Sequence, residues 1–168
     1  MPLRWPPSSA QSLLRKLIAA GLKTADPYHA LLNSISLNKH SLRVGRRTYN
    51  LSHIDRIVVV GAGKASARMA QALETALGPR LDDGLVIVKT GHTLATKRIT
   101  ILEASHPIPD RAGLHATQRL LRLTQCLTPR DLLIVLLSGG ASSLLPAPVA
   151  GVTLPDKQRT TRLLLHSG

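Results

Sequence analysis

The sequence predicts an α/β fold in which a mostly parallel β-sheet carries helices on its faces. Short apolar runs alternate along the chain with segments of helical periodicity, and strands separated by helices pair in parallel through right-handed crossovers. The run at 57–60 is continuously apolar, which is typical of a strand that is buried on both faces. With 168 residues, of which 43% are hydrophobic, the chain is long enough to bury the core of one domain.

The first third of the chain predicts two helices and a hairpin before the sheet begins. Apolar residues recur at helical spacing over 9–25, and Asp26 followed by proline is typical of the N-cap of a second helix over 27–35. Alternating apolar and polar residues over 41–51, with a turn near Gly45, predict a small surface hairpin.

The rest of the chain predicts four strands with helices between them. Asp110 is positioned to cap one of these helices, and Thr153 with Asp156 forms the pattern of a capping box at the start of another. The predicted strands are 57–60, 84–89, 99–103 and 131–137, and the predicted helices are 64–77, 111–127 and 154–165.

Loops with small or polar residues follow the four predicted strands, at 61–64, 90–93, 105–110 and 138–143. Parallel strands end at one edge of their sheet, and ligands of open α/β sheets bind at that edge. The sequence therefore predicts a small-molecule site to which all four loops contribute.

The loop after the first of these strands reads Gly61-Ala-Gly63-Lys64 and leads into a helix. A glycine turn at a helix N-terminus presents backbone N–H groups and the positive end of the helix dipole to an anion, and Lys64 adds a full charge. The segment matches neither a P-loop nor a dinucleotide fingerprint, because Ser66 stands where the latter needs its third glycine. The alternative is a turn whose glycines only allow close packing.

The loop after the last predicted strand combines two glycines with three hydroxyl groups. Consecutive N–H groups and hydroxyls suit a phosphate or carboxylate ligand, and a plain turn capped by hydroxyls is the alternative. The residues of this loop that we expect to bind the ligand are Ser138, Gly139, Gly140 and Ser142.

Three titratable residues follow predicted strands and are candidates to contact a ligand. His92 and His106 can each bind an anion or a hydroxyl group, or simply cap a loop. Asp110 is a candidate general base, with capping of the following helix as the alternative. No pair of carboxylates and no His, Asp or Glu cluster has the spacing of metal ligands, so we predict no metal-binding residue.

Composition and charge exclude several other classes of protein. Cys126 is the only cysteine, which excludes a disulfide framework within one chain and predicts a reducing, cytoplasmic location. No apolar run approaches the roughly 20 residues of a membrane span, and the first residues lack the apolar segment of a secretory signal.

The net charge of +13 suits nucleic acid, but the basic residues are scattered and aromatic residues make up only 2% of the chain. Nucleic-acid binding is therefore disfavoured.

Five motifs follow one another along the chain. They read Val-Val-Gly-Ala-Gly-Lys-Ala-Ser, Thr-Gly-His, Glu-Ala-Ser-His-Pro-Ile-Pro-Asp, Leu-Ser-Gly-Gly-Ala-Ser-Ser-Leu-Leu and Gly-Val-Thr-Leu-Pro-Asp-Lys-Gln. In this order the chain resembles, from about residue 13 to residue 168, the N-terminal domain of the glycerate 2-kinase family, whose members are often labelled hydroxypyruvate reductase. The resemblance implies transfer of the ATP γ-phosphoryl group to the 2-hydroxyl of D-glycerate, with Mg²⁺. It also implies a Rossmann-like larger domain, a smaller C-terminal domain and an active site in the cleft between them.

Carried onto this sequence, the resemblance assigns Lys64 a catalytic role, the stabilisation of phosphate or transition-state charge. It assigns the holding of phosphate or of the substrate carboxylate to the loop at 138–143. Together with the residues singled out above, the set expected to bind substrate or phosphate is Gly61, Gly63, His92, His106, Ser138, Gly139, Gly140 and Ser142.

Members of this family are much longer than 168 residues, so the resemblance implies that 1–168 is the N-terminal part of the larger domain. We expect the sheet to lack the strands that the C-terminal part of the family domain contributes, and we expect no C-terminal domain in this chain. We also expect the fragment to be inactive alone, and to be completed by a complementing polypeptide or by a homo-oligomer. Two other functions stay open from the sequence. One is reduction of hydroxypyruvate with NAD(P)H, and the other is a basic module that binds nucleic acid.

Overall fold

Two separate β-sheets organise the chain in a computed structural model, which describes residues 8–168. The first three strands form a small antiparallel sheet, and the other four form a parallel sheet in the spatial order β6-β5-β4-β7. The predicted α/β fold with a mostly parallel sheet is therefore confirmed. The strands are β1 (Ile35–Leu37), β2 (Ser41–Val44), β3 (Arg47–Asn50), β4 (Arg56–Ala62), β5 (Asp83–Lys89), β6 (Ile99–Ala104) and β7 (Asp131–Leu137).

Within residues 8–168, two α-helices precede the small sheet, two lie between strands of the large one, and two follow its last strand. They are α1 (Ser8–Ala25), α2 (Pro27–Ser34), α3 (Ser66–Leu77), α4 (Arg111–Gln125), α5 (Ala141–Leu144) and α6 (Leu154–Ser167). The predicted caps are confirmed, because Asp26 and Asp110 each accept a backbone N–H at the start of α2 and α4, and Thr153 bonds reciprocally with Asp156. Within the described residues, every helix is too short or too polar to cross a membrane.

Several boundaries differ from the prediction. The second helix ends at Ser34 because Ile35 is extended and pairs with Val44, which makes β1 a third strand beside the predicted hairpin. β4 continues through Ala62, and α3 begins only at Ser66. The short helix α5 was not predicted. The start of the chain, for which we predict no secretory signal, includes residues 1–7, which lie outside the described part.

Each face of the large sheet has its own apolar core. Successive residues of a strand point to opposite faces, so Val59 of β4 packs with Leu73 of α3, whereas Val60 packs with Leu120 of α4 and Leu144 of α5. β4 is therefore buried on both faces, as the continuous apolar run predicts. β4 is the most buried strand of the sheet, and it fixes the position of the turn that follows it.

β7 has the most apolar sequence of the predicted strands, but it lies at an edge of the sheet. It pairs with β4 along its whole length, and its other edge has no strand partner within residues 8–168. Val135 and Leu137 are 53% and 59% exposed. An unpaired apolar edge is a surface on which another polypeptide can pair.

The carboxylate of Asp26 links the N-terminal helices to α3. It accepts the N–H of Tyr28 at 3.0 Å and pairs with the guanidinium of Arg68 at 3.2 Å. The hydrogen bond from Arg68 is the largest cause that lowers the pKa of Asp26 from 3.8 to about 2, followed by the bond from Tyr28. Burial opposes them, and the bond from His29 makes a smaller contribution.

This lowered pKa predicts a specific loss of stability in acid. The unfolded chain takes up the proton near pH 3.8 and the folded chain near pH 2, so the contribution of Asp26 is complete above about pH 4 and is lost as the pH falls towards 2. We expect Asp26→Asn to lower the melting temperature at pH 7 and to converge with the wild type at pH 2. The gap between Arg68→Met and the wild type should also narrow as the pH falls, but not close, because Arg68 also lies over the ring of Tyr28. The double variant should lose less than the sum of the two. A gap in melting temperature that stays constant from pH 7 to pH 2 would contradict this role.

Candidate active site

The turns after β4, β6 and β7 meet at the carboxyl edge of the large sheet. The backbone N–H of Lys64 donates to the carbonyl oxygen of Gly139 at 3.0 Å, which ties the turn after β4 to the turn after β7. His106, in the segment after β6, reaches the same place because its ring lies against Gly140. Three of the four predicted loops therefore come together.

The two glycines near the end of β4 pack against neighbouring backbone. Gly61 lies inside β4 and not in the turn, and a Cβ placed on it would overlap the carbonyl oxygen of Leu136. Gly63 has a φ of +137°, and a Cβ there would overlap Ser138. Both glycines are buried. This geometry is that of the close-packing alternative, and it corrects the expectation that Gly61 belongs to the turn after the strand.

The backbone N–H groups of the turn after β4 are also bonded within the protein. Residues 63 to 66 donate to the carbonyl oxygens of Ile87 and Gly139, to the hydroxyl of Ser138 and to the carbonyl oxygen of Gly63, in that order, at 3.0–3.2 Å. The helix α3 begins at Ser66, so Lys64 precedes it and does not occupy its first turn. The internal bonding of these N–H groups favours the alternative, a turn whose glycines allow close packing, over a backbone cradle for an anion.

The hydroxyl of Ser138 joins the two turns. It accepts the N–H of Ala65 at 3.0 Å and lies 3.2 Å from the hydroxyl of Ser66, which is fully buried. Sequence reasoning treated Ser66 only as a missing glycine and overlooked this contact. Its position, at the start of a helix whose next turn is apolar, is the signal that could have revealed a buried role.

One corner of this edge brings together groups that suit an anionic ligand. A Cβ built on Gly140 would lie 2.8 Å from Nε2 of His106 and 3.3 Å from Cε of Lys64, so both side chains converge on one point beside Gly140. Gly140 has a φ of +92°. The backbone N–H groups of Gly139 and Gly140 have no hydrogen-bond partner within residues 8–168. We call Lys64, His106, Gly139 and Gly140 the edge cluster.

His106 is the member of the edge cluster whose protonation the surroundings alter. Burial first, and then the positive charges of Lys64 and Lys89, lower the pKa of His106 below its ordinary value of 6.5. These surroundings therefore favour the neutral form of the imidazole. Lys89, at the end of β5, was missed by sequence reasoning because nothing in its local pattern indicates which loop it faces.

Two predicted site residues are not drawn into the edge cluster. His92 is exposed in the loop after β5, and Ser142 is exposed on α5. Neither side chain makes a hydrogen bond to any part of the chain that the structure describes. Asp110 is occupied as the cap of α4, where its carboxylate accepts the N–H of Gly113 at 2.8 Å.

The side chains at this edge, among the residues that the structure describes, lack the ligands that a metal ion needs. Residues 8–168 contain no group of three or more His, Cys, Asp or Glu side chains that could hold one. The donor set of the edge cluster, a lysine, a histidine and backbone N–H groups, does not suit Mg²⁺, which prefers oxygen ligands.

The fold is that of a Rossmann-like α/β protein, and the edge cluster places a lysine, a histidine and unpaired backbone N–H groups together at the carboxyl ends of its strands. The sequence profile of the family described as "Domain of unknown function (DUF4147)" matches residues 13–168. The chain therefore belongs to the DUF4147 family.

Relatives of known name cover nearly the whole chain. A protein of Agrobacterium vitis named "Putative hydroxypyruvate reductase" is 40% identical over 99% of this chain, which corresponds to 35% of the relative. The "Glycerate 2-kinase" of Pyrococcus horikoshii is 34% identical over 91% of this chain and 34% of the relative. A crystal structure of glycerate kinase from Thermotoga maritima superposes with a TM-score of 0.78 at 32% identity, covering 96% of this chain and 36% of the other.

These matches confirm the family resemblance that the five motifs indicate. The chain spans about a third of the length of the relatives that it matches.

Proposed function

We propose that this chain forms the phosphate-binding part of a glycerate 2-kinase, which transfers the γ-phosphoryl group of ATP to the 2-hydroxyl of D-glycerate and yields 2-phosphoglycerate. The observation that carries the proposal is the convergence of Lys64 and His106 on Gly140, beside two unpaired backbone N–H groups. The names of the relatives from Pyrococcus and Thermotoga support the same reaction.

The edge cluster has the properties that phosphoryl transfer requires of a protein. Catalysis of this reaction depends mainly on positioning the reactants and stabilising the negative charge on the transferred group. Lys64 supplies a positive charge. Its backbone is fixed by the hydrogen bond from its N–H to the carbonyl oxygen of Gly139. The successive N–H groups of Gly139 and Gly140 have no partner within residues 8–168, and backbone N–H groups of this kind can bind phosphate or carboxylate oxygens.

ATP enters this reaction as a substrate, with D-glycerate as the acceptor. Mg²⁺, if it takes part as the resemblance implies, would be held mainly by nucleotide phosphates, since the edge cluster lacks carboxylates. We propose that 1–168 corresponds to the N-terminal part of the larger domain and acts together with a complementing polypeptide or a second copy. A cytoplasmic location, inferred from the single cysteine, is part of the same proposal.

The name of the Agrobacterium relative raises reduction of hydroxypyruvate as a second candidate. A dinucleotide fold needs glycine at the third position of its fingerprint so that helix and strand pack closely around the pyrophosphate. Here Ser66 holds that position, and its hydroxyl lies 3.2 Å from that of Ser138. The turn after β4 also has its N–H groups bonded internally, so it offers a pyrophosphate no donors.

A coupled assay tests the proposal and separates the two candidates. We define the chimaera as residues 1–168 of this chain followed by the remaining two thirds of the Agrobacterium vitis relative, and we use the intact relative as the positive control. We expect ATP-dependent formation of 2-phosphoglycerate from D-glycerate by the chimaera and no turnover by the 168-residue chain alone. Oxidation of NADH with hydroxypyruvate, without phosphoryl transfer, would favour the reductase instead.

A further inference from the structure

The acceptor hydroxyl loses a proton when it is phosphorylated, and the sequence offers three groups at the sheet edge to take it. The structure separates these candidates. Asp110 already accepts the N–H of Gly113 as the cap of α4, and His92 is exposed in the loop after β5, without a side-chain hydrogen bond to residues 8–168. His106 alone is placed against the turn that carries the unpaired N–H groups.

The position of His106 is set by close packing. A Cβ on Gly140 would lie 2.8 Å from both Cδ2 and Nε2 of the ring, so any other residue at this position would displace the imidazole. The same point lies 3.3 Å from Cε of Lys64. A phosphoryl group held by Lys64 and by the N–H groups of Gly139 and Gly140 would therefore be next to Nε2.

The charges around His106 keep its ring available as a proton acceptor. Lys64 approaches it from the turn after β4 and Lys89 from the end of β5, and both lower its pKa in addition to burial. The turn after β7 contributes only glycines and serines at 138–140. When anionic substrates offset the two lysines, the affinity of the ring for a proton rises at the moment when the proton must be taken up.

We propose that His106 is the catalytic base, which accepts the proton of the 2-hydroxyl at Nε2 during transfer. This assignment rests on the proposed kinase function. In the step, the hydroxyl oxygen forms a bond to the γ-phosphorus while the bond from that phosphorus to the bridging oxygen breaks and leaves its electron pair on ADP. The proton moves to Nε2 and passes to solvent after the products leave.

The first test follows the His106 ring by NMR in the 168-residue chain, with His106→Gln used to assign its signal. We expect a pKa below the ordinary value of 6.5, a higher pKa in Lys64→Met, and a higher pKa when sodium pyrophosphate is added. Pyrophosphate should raise the pKa less in Lys64→Met than in the wild type. A titration that responds neither to Lys64→Met nor to pyrophosphate overturns the proposal, because the ring would then not face the anion site.

The second test measures turnover in the chimaera. His106→Gln should lower kcat at least about a hundredfold, the usual contribution of a general base, while the KM for D-glycerate changes little. In the wild-type chimaera kcat should fall at acidic pH, because a protonated His106 cannot accept the proton. This fall should be absent in His106→Gln. His115→Gln, on the exposed side of α4, is the matched control and should keep the wild-type rate and profile.

The outcomes distinguish this assignment from the function on which it rests. Equal kcat in His106→Gln and in the wild type overturns the role of His106 and leaves the kinase proposal standing. Failure of the wild-type chimaera beside an active relative counts against both. If His106→Gln does not fold, His106→Asn replaces it, and the NMR result in the wild type and Lys64→Met still decides the placement of the ring.

Discussion

Replacing Lys64 by methionine should lower kcat/KM of the chimaera for D-glycerate by about a thousandfold. Methionine keeps most of the length of the side chain but removes the charge beside Gly140, and loss of one group that stabilises transition-state charge costs roughly 10²–10³ in rate. The measurement is the coupled formation of 2-phosphoglycerate at saturating ATP. Lys64→Arg should retain part of the activity, because it keeps the charge but not the compact ammonium group.

The same variant should fold as the wild type does. The Lys64 side chain is exposed, and the backbone bond to Gly139 does not depend on the side chain. We expect the Lys64→Met variant of the 168-residue chain to have the same melting temperature as the wild type. Lys39→Met, in the turn between β1 and β2, is a matched control for loss of one charge and should leave turnover unchanged. A Lys64→Met enzyme with the wild-type rate would remove this lysine from the mechanism.

Gly63→Ala should destabilise the 168-residue chain by about 3 kcal/mol or more. A methyl group at this position would overlap the hydroxyl of Ser138 and lie 2.7 Å from its carbonyl oxygen, and the φ of +137° strains any residue with a Cβ. Overpacking costs roughly 1–3 kcal/mol and a glycine-only backbone conformation a similar amount, so the two together exceed either alone. Urea unfolding followed by circular dichroism measures the change.

Gly139→Ala is the matched control for this prediction. It lies in the facing turn, its φ is not positive, and a Cβ there would meet nothing within 4 Å. We expect its free energy of unfolding to stay within about 0.5 kcal/mol of the wild type. Equal stability of Gly63→Ala and Gly139→Ala would mean that the close approach of the two turns is not a feature of the folded chain.

The fold could be predicted from sequence wherever local signals agree with the tertiary structure. The apolar run at 57–60 predicted β4, and the side-chain caps at Asp26 and Asp110 predicted the starts of two helices. The order of the strands in the sheet was not predictable, because it depends on pairing between distant segments. For that reason the apolar sequence of β7 did not reveal that this strand lies at an edge.

The location of the candidate site could be predicted from the sequence. Which of its backbone and side-chain groups are left without a hydrogen-bond partner could not. Parallel strands end at one edge of their sheet, so the presence of Lys64 and the turn after β7 at the same edge followed from the predicted fold. Their direct contact did not follow, because it depends on β4 and β7 being neighbours in the sheet. The role of Gly61 did not follow, because only the register that places it opposite Leu136 shows that backbone fills the space beside it. The low pKa of His106 depends partly on Lys89, whose proximity arises from packing between separate loops.

The hydroxyl of Ser138 has a consequence for how mutational data on this protein are interpreted. Because it holds the residues after Lys64 at a fixed separation from β7, its removal would shift the lysine without touching any ligand. A screen that scores only product formation would class Ser138 with the residues that bind phosphate. Inactive variants at this edge therefore have to be sorted by a folding measurement before any of them is assigned to the chemistry.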